Sequence, residues 1–219
     1  MNAYQKSKLN SVKRGAIRAT YDVEKIHTIL DAGFIGYVGY VFQGKAITIP
    51  MAYGRKDNTI ILHGSHANRM LTSLLEAKEM SMTVMHLDAL VLARSGFHHS
   101  VNYRSATLFG RVRKVANKKE KNDLLFYFME HMMKGRWDGI REMNTAEFDR
   151  TLVVEMTIET ASAKIRDVGV ADEPEDYELD VWAGLMPIKQ VAEYPIADKG
   201  KPEQMEIPKH ILDYYEQNK

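Results

Sequence analysis

"FIGYVGYVFQGKAITIPMAYG" occupies residues 34–54. Aromatic and β-branched residues dominate both halves, and Gln43-Gly44-Lys45 separates them. Glycine tolerates the left-handed backbone of a tight turn. The stretch therefore reads as two strands folded into a hairpin, which makes them antiparallel. Further strands follow: "TIILH" (59–63) after a polar turn at 55–58, "SMTVMHLDALVLARS" (81–95), "NYRSATLFGRVRKV" (102–115) and "TLVVEMTIETASAKIR" (151–166). Few helices fall between them. The spacing predicts one over 22–32, capped by Asp22, with a stripe of Val23, Ile26, Ile29 and Leu30, ended by Gly33. A second covers 66–77 with Met70, Leu71, Leu74 and Leu75 inward. A third covers 117–134, where Leu124, Leu125, Phe128, Met129, Met132 and Met133 share one side and read as core. A last helix starts near Pro208, a favourable first helical position. This is not the regular βαβα order of a parallel sheet. A small antiparallel barrel with an inserted helix fits better.

The bulk properties narrow the class. A chain of 219 residues with 45% hydrophobic composition supports one domain, or a barrel with appendages. Thirty basic and 29 acidic residues leave a net charge of +1. That balance points away from nucleic-acid and membrane-surface partners. The absence of cysteine excludes disulfides, thiol nucleophiles and thiolate metal sites, and suits a reducing compartment. The basic N-terminus lacks the apolar core of a signal peptide, and no apolar run reaches membrane-spanning length. The expectation is a soluble cytoplasmic protein. The acidic run "DEPEDYELD" (172–180) reads as a solvated loop, lacking calcium-loop spacing.

"LHGSHANRML" (62–71) carries the chemistry that can be placed. At a strand-turn-helix junction the helix start offers free N–H groups and a positive dipole end. Gly64 lets backbone approach a phosphate, Ser65 can cap the helix or donate a hydroxyl, and Arg69, one turn in, supplies a bidentate cation. An ordinary capped helix with a surface arginine accounts for the same residues. No Walker loop, dinucleotide fingerprint, His-Glu-x-x-His or Gly-x-Ser-x-Gly occurs. His98 and His99 are adjacent, point to opposite faces of a strand, and cannot share a metal. No metal site is expected.

"HGSHANRM", "VLARSGFHHSVNYRSATLFGRV" and "SAKIRDVGVADEPEDYELDVWAGLMPI", in that order, resemble the pyridoxamine 5′-phosphate oxidase-like split-barrel flavoproteins. The nearest branch is similar to the nitroimidazole-reductase group. The likeness covers roughly residues 12–190, leaving 191–219 as an extension of a single domain. It implies a mainly β fold with flanking helices: a six-stranded antiparallel split barrel, homodimeric, with two FMN sites at the subunit interface. His63, Gly64 and Ser65 would lie along the flavin, and Asn68 and Arg69 at its phosphate. Pro50 and Met51 fall in the phosphate-binding part of the second strand, with Met51 where the family has lysine. Arg104 and Ser105 would reach the ring from the partner subunit, Asn102 and Tyr103 beside them would also bind the cofactor, and Trp182 would close over it, followed by a turn at Gly184 and Pro187. The residues with which pyridoxamine phosphate oxidases grip their substrate are missing from the tail "HILDYYEQNK". The resemblance thus implies an FMN oxidoreductase of small aromatic or nitro compounds with an external electron donor. His63 is the candidate proton donor, with plain hydrogen bonding to backbone or flavin as its other role. A split barrel that holds flavin or haem without turnover is the alternative.

Overall fold

The computed structural model describes residues 2–219. The hairpin forms as expected: β2 (Ile35–Phe42) and β3 (Lys45–Ala52) pair from Ile35 opposite Ala52 to Phe42 opposite Lys45. Gln43 and Gly44 make the turn at φ 51° and 73°. Two left-handed residues in succession match the twist of the flanking strands. Before the hairpin come β1 (Ala19–Thr20) and α1 (Val23–Asp31), capped by Asp22, which accepts from the Lys25 N–H at 2.8 Å. Gly33 follows α1 for lack of space rather than for a left-handed turn, since a Cβ there would come within 2.9 Å of the His86 ring.

After Tyr53 the chain forms β4 (Gly54–Lys56), turns at Asp57 and returns as β5 (Thr59–Ser65). The polar stretch 55–58 is therefore half strand. Then come α2 (Arg69–Ala77), β6 (Glu79–Leu92), β7 (Ser100–Lys114), α3 (Lys118–Met132), α4 (Thr145–Arg150), β8 (Thr151–Arg166), β9 (Gly184–Pro187) and α5 (Lys209–Asn218). The sheet runs β3-β2-β6-β7-β8-β5-β4, with β1 on β8 and β9 on β6, and every pairing is antiparallel.

Six strands were expected, and six are long. The short β1, β4 and β9 bring the count to nine. Two to four residues carry no readable alternation. Gly184 and Pro187 mark the ends of β9 rather than a turn, because this segment completes the edge of β6. Pro208 caps α5 instead of opening it. The acidic run is tethered at its start: the Asp172 carboxylate, out of contact with solvent, accepts from the Arg94 backbone N–H and from its guanidinium at 3.1 Å.

Two cores share β5. Ile60 and Leu62 enter the main core with Leu71, Leu74, Met82, Leu108 and Met156. Ile61 enters a smaller cluster beneath α3 with Val115, Leu124, Leu125, Phe128 and Val153. A strand buried on both faces reads as a continuous apolar run, which "TIIL" is. α3 lies hard against β4 because Gly54 has no side chain: a Cβ there would sit 2.5 Å from the Phe128 Cα. Among the described residues no helix is long and apolar enough to cross a membrane.

Candidate functional site

Alternation along β5 decides where His63 points. It shares parity with Ile61, so its ring lies under α3 and not in the main core. Phe128 meets the ring edge-on, with centroids 4.4 Å apart and planes at 89°. Its Nδ1 is buried and has no hydrogen-bond partner among the described residues. Burial alone pushes the His63 pKa below the ordinary histidine value. At neutral pH the ring is an uncharged imidazole, suited to act as a base or metal ligand rather than as a charged acid.

His63 heads a cavity of about 540 Å³. Leu125, Phe128, Met129 and Met132 of α3 form one wall, and Trp137, Ile140, Met143 and Thr151 close it. Its polar groups, Asp138, Arg141 and Glu142, belong to the exposed stretch 138–142. Glu147 holds Arg141 there through bonds of 2.6 and 2.8 Å. Met129 and Met132, expected as core, are half-buried walls of this cavity. An apolar stripe on α3 has the same pattern whether it meets side chains or a hollow, so the sequence carried no signal of it. Among the described residues no group of three or more His, Asp or Glu could hold a metal ion. His63 can thus offer one ligand, not a complete set.

The expected phosphate cradle lies on the other side of β5. α2 begins at Arg69, three residues later than 66, because Asn68 is extended and its side chain caps the helix by accepting from the Leu71 N–H at 3.1 Å. Arg69 is the first helical residue, not one turn in. Ser65 caps no helix: its hydroxyl accepts from the Ala67 N–H at 3.2 Å and its carbonyl from the Asn68 N–H. A Cβ on Gly64 would meet the Leu71 side chain at 3.1 Å, so glycine keeps the turn tight on α2. The Arg69 guanidinium stacks 4.7 Å over Phe42 and donates to the Tyr40 hydroxyl at 3.4 Å. It has no carboxylate partner among the described residues, which leaves most of its five donors available. On β3, Met51 packs on the main core, while Pro50 is exposed on an edge strand that tolerates proline.

The β7 residues form a separate group. Tyr103 and Ser105 share a face with their partners Leu87 and Met85 on β6. Arg104 faces the other way, and Asp88 grips it at 2.8 and 3.0 Å. Asn102 is buried, donating to the Val168 carbonyl and accepting from Arg166. Trp182 is 69% exposed and lies across Gly184. On β8, His63 stands opposite Val153 and Arg104 opposite Ile165. Those partners are twelve positions apart, about 40 Å along the strand. His63 and Arg104 thus lie far apart along the sheet within one chain.

Tyr37, Met85, Leu87, Leu185 and Met186 are exposed on β2, β6 and β9. Exposed Tyr37 alternates along β2 with buried Val38 and Tyr40, and Met85 sits across from Ser105. Tyr37, Met85 and Leu87 together give the sheet an apolar outer face, while consecutive Leu185 and Met186 point to opposite sides of β9.

The fold and much of the sequence recur in known structures. A flavocytochrome, Anf3 from Azotobacter vinelandii, shares 32% identity over 95% of this chain and 97% of its own, with a TM-score of 0.89. An FAD- and haem-binding protein from Mycobacterium smegmatis shares 26% identity over 90% and 97%, with a TM-score of 0.86. A protein from Bacteroides thetaiotaomicron described as connected with 5-nitroimidazole antibiotic resistance shares 20% identity over 67% and 86%, with a TM-score of 0.59. A search of curated proteins finds no match to the sequence. The sequence pattern of the pyridoxamine 5′-phosphate oxidase family matches residues 22–165, and the chain belongs to that family.

Proposed function

We propose that this protein is a flavin-dependent redox protein that also holds a haem in the cavity headed by His63. The observation that carries the haem half is the half-buried, uncharged His63 imidazole, its buried Nδ1 without a partner, in an apolar hollow of a size that suits a cofactor. A lone histidine fits a metal that brings its other ligands in a macrocycle. The names of two relatives similar over their full length, a flavocytochrome and an FAD- and haem-binding protein, support the same pairing.

The flavin half rests on family membership and on two features of the chain. Arg69 offers free guanidinium donors beside the start of α2, where the flavin phosphate would sit. The apolar outer face needs a cover, and a second copy of the chain would supply it and present its own β7 groups there. The assembly is then a homodimer with flavin at its interface. FMN is the form the family resemblance implies; the M. smegmatis relative favours FAD as the second reading.

Bound flavin and haem supply electron transfer, and flavin also supplies hydride transfer. The chain's own contribution is placement. His63 would offer its lone pair, Phe128 and the methionines would exclude water from the cavity, and Arg69 would neutralise phosphate charge. An external donor such as a nicotinamide cofactor would deliver electrons in the cytoplasm. Small nitro-aromatic compounds remain the substrate class implied by the resemblance, while the likeness to the resistance protein, at 20% identity, shows the fold alone.

The test is chromophore identity. The full-length protein is purified, its absorption spectrum recorded before and after addition of FMN, FAD and haem, and the bound groups extracted and identified. The reading expects both flavin and haem signatures. A protein that stays colourless with all three has no such function.

A further inference from the structure

Behind Thr151 lies a second hollow of about 180 Å³, and Thr151 lines both cavities. Its lining is cationic. Lys114 ends β7, and Lys118 and Lys121 share one face of the first turns of α3. Lys121 is only 7% exposed, donates to the Phe148 carbonyl and lies 4.1 Å over the Phe148 ring. None of the three lysines forms an ion pair among the described residues. His66 and Asp149 complete the polar lining. Lysine is rarely buried without a counter-charge, because the desolvated ammonium costs free energy that a lone carbonyl only partly offsets. Three lysines against one aspartate leave a surplus of two positive charges beside the apolar cavity.

We infer that this lysine cleft takes the anionic arms of the ligand whose apolar body fills the His63 cavity. The inference rests on the haem reading above, and for a haem the arms are its two propionate carboxylates. They match the surplus in number, and Thr151 lines both compartments. Each carboxylate would accept charge-assisted hydrogen bonds from lysine, stronger than those between neutral groups. A solvated surface run would explain Lys114 and Lys118, which are exposed, but not Lys121, which is buried.

The experiment titrates the full-length protein with haem and, in parallel, with haem dimethyl ester, following the Soret band. The ester keeps the metal and the macrocycle but carries no negative arms. The wild type should bind the free acid at least about tenfold more tightly than the ester. Lys118→Gln with Lys121→Met should bring the two affinities to near parity by weakening the free acid alone. Because Lys121 is buried and its replacement can unfold α3, Lys114→Gln with Lys118→Gln provides a second variant at exposed positions, expected to shift the ratio in the same direction. Equal wild-type affinity for acid and ester overturns the inference and leaves the haem reading standing. So does equal loss of both ligands in a variant that remains folded. Failure of either ligand to bind the wild type overturns both.

Discussion

Gly54→Ala should loosen α3 from the sheet and damage the His63 cavity. An added Cβ would lie 2.5 Å from the Phe128 Cα, 3.0 Å from its Cβ and 3.2 Å from its backbone nitrogen. No rotamer change relieves a clash with backbone. An ordinary carbon contact needs about 3.5 Å, so α3 must retreat by roughly 1 Å at this point. Overpacking of this kind costs about 1–3 kcal/mol. At roughly 2–4 °C per kcal/mol for a chain of this size, Tm should fall by about 2–12 °C. Phe128 is also the edge-on neighbour of His63, so haem affinity should fall with it. Circular dichroism melts and Soret titrations read the two effects. Gly96→Ala is the control, since nothing lies within 4 Å of a Cβ there. A Gly54→Ala protein that melts within about 1 °C of wild type, with unchanged haem affinity, would refute the reasoning.

Arg69→Ala should weaken flavin-phosphate binding by about 1.5–3 kcal/mol, roughly tenfold to a hundredfold, and leave riboflavin binding unaffected. Equal losses for both ligands in fluorescence titrations would make Arg69 a support of the fold. Tyr37→Glu with Met85→Glu puts charge on the apolar outer face and should yield a folded monomer with greatly weakened flavin binding, read by sedimentation; a stable flavin-loaded dimer would place the interface elsewhere. Burial is the main cause holding His27, His63 and His131 below the ordinary histidine pKa. The unfolded chain therefore binds those protons more readily. Stability should be full above a pH of about 6.5 and be lost as the pH falls below it. The carboxylate of Glu147, held down to about 2 by Arg141, titrates far below that window. A urea midpoint that does not change between pH 7.5 and 5.5, both approximate settings around the histidine value, would contradict the assignment.

Much of the fold could be read from the residues because alternation and turn chemistry agree. Gly44 in a left-handed turn made the hairpin legible, and the long run at 151–166 matches β8 end to end. The small strands were not legible, since β4 and β9 gain their order from neighbouring strands and not from their own pattern. The start of α2 was written in Asn68, a preferred capping residue, but Ser65 upstream competed for the role. The facing of His63 was also available: counting by twos from Ile61 places it under α3, away from the turn proposed to hold the flavin phosphate. The cavity itself was not available. Leu125, Phe128, Met129 and Met132 line a hollow because the stretch 137–143 and Gly54 set how far α3 stands from the sheet, and no local pattern records that distance.

His63→Ala bears most directly on the two-cofactor account. The variant removes the only histidine that lines the cavity and keeps Arg69, the α2 start and the outer face intact. Wild-type and variant proteins, saturated with flavin and haem and freed of excess, are compared by absorption spectroscopy. The account predicts that the variant loses or shifts the Soret band of bound haem while its flavin content stays at the wild-type level. An unaltered Soret band in the variant, or loss of flavin with haem retained, would contradict it.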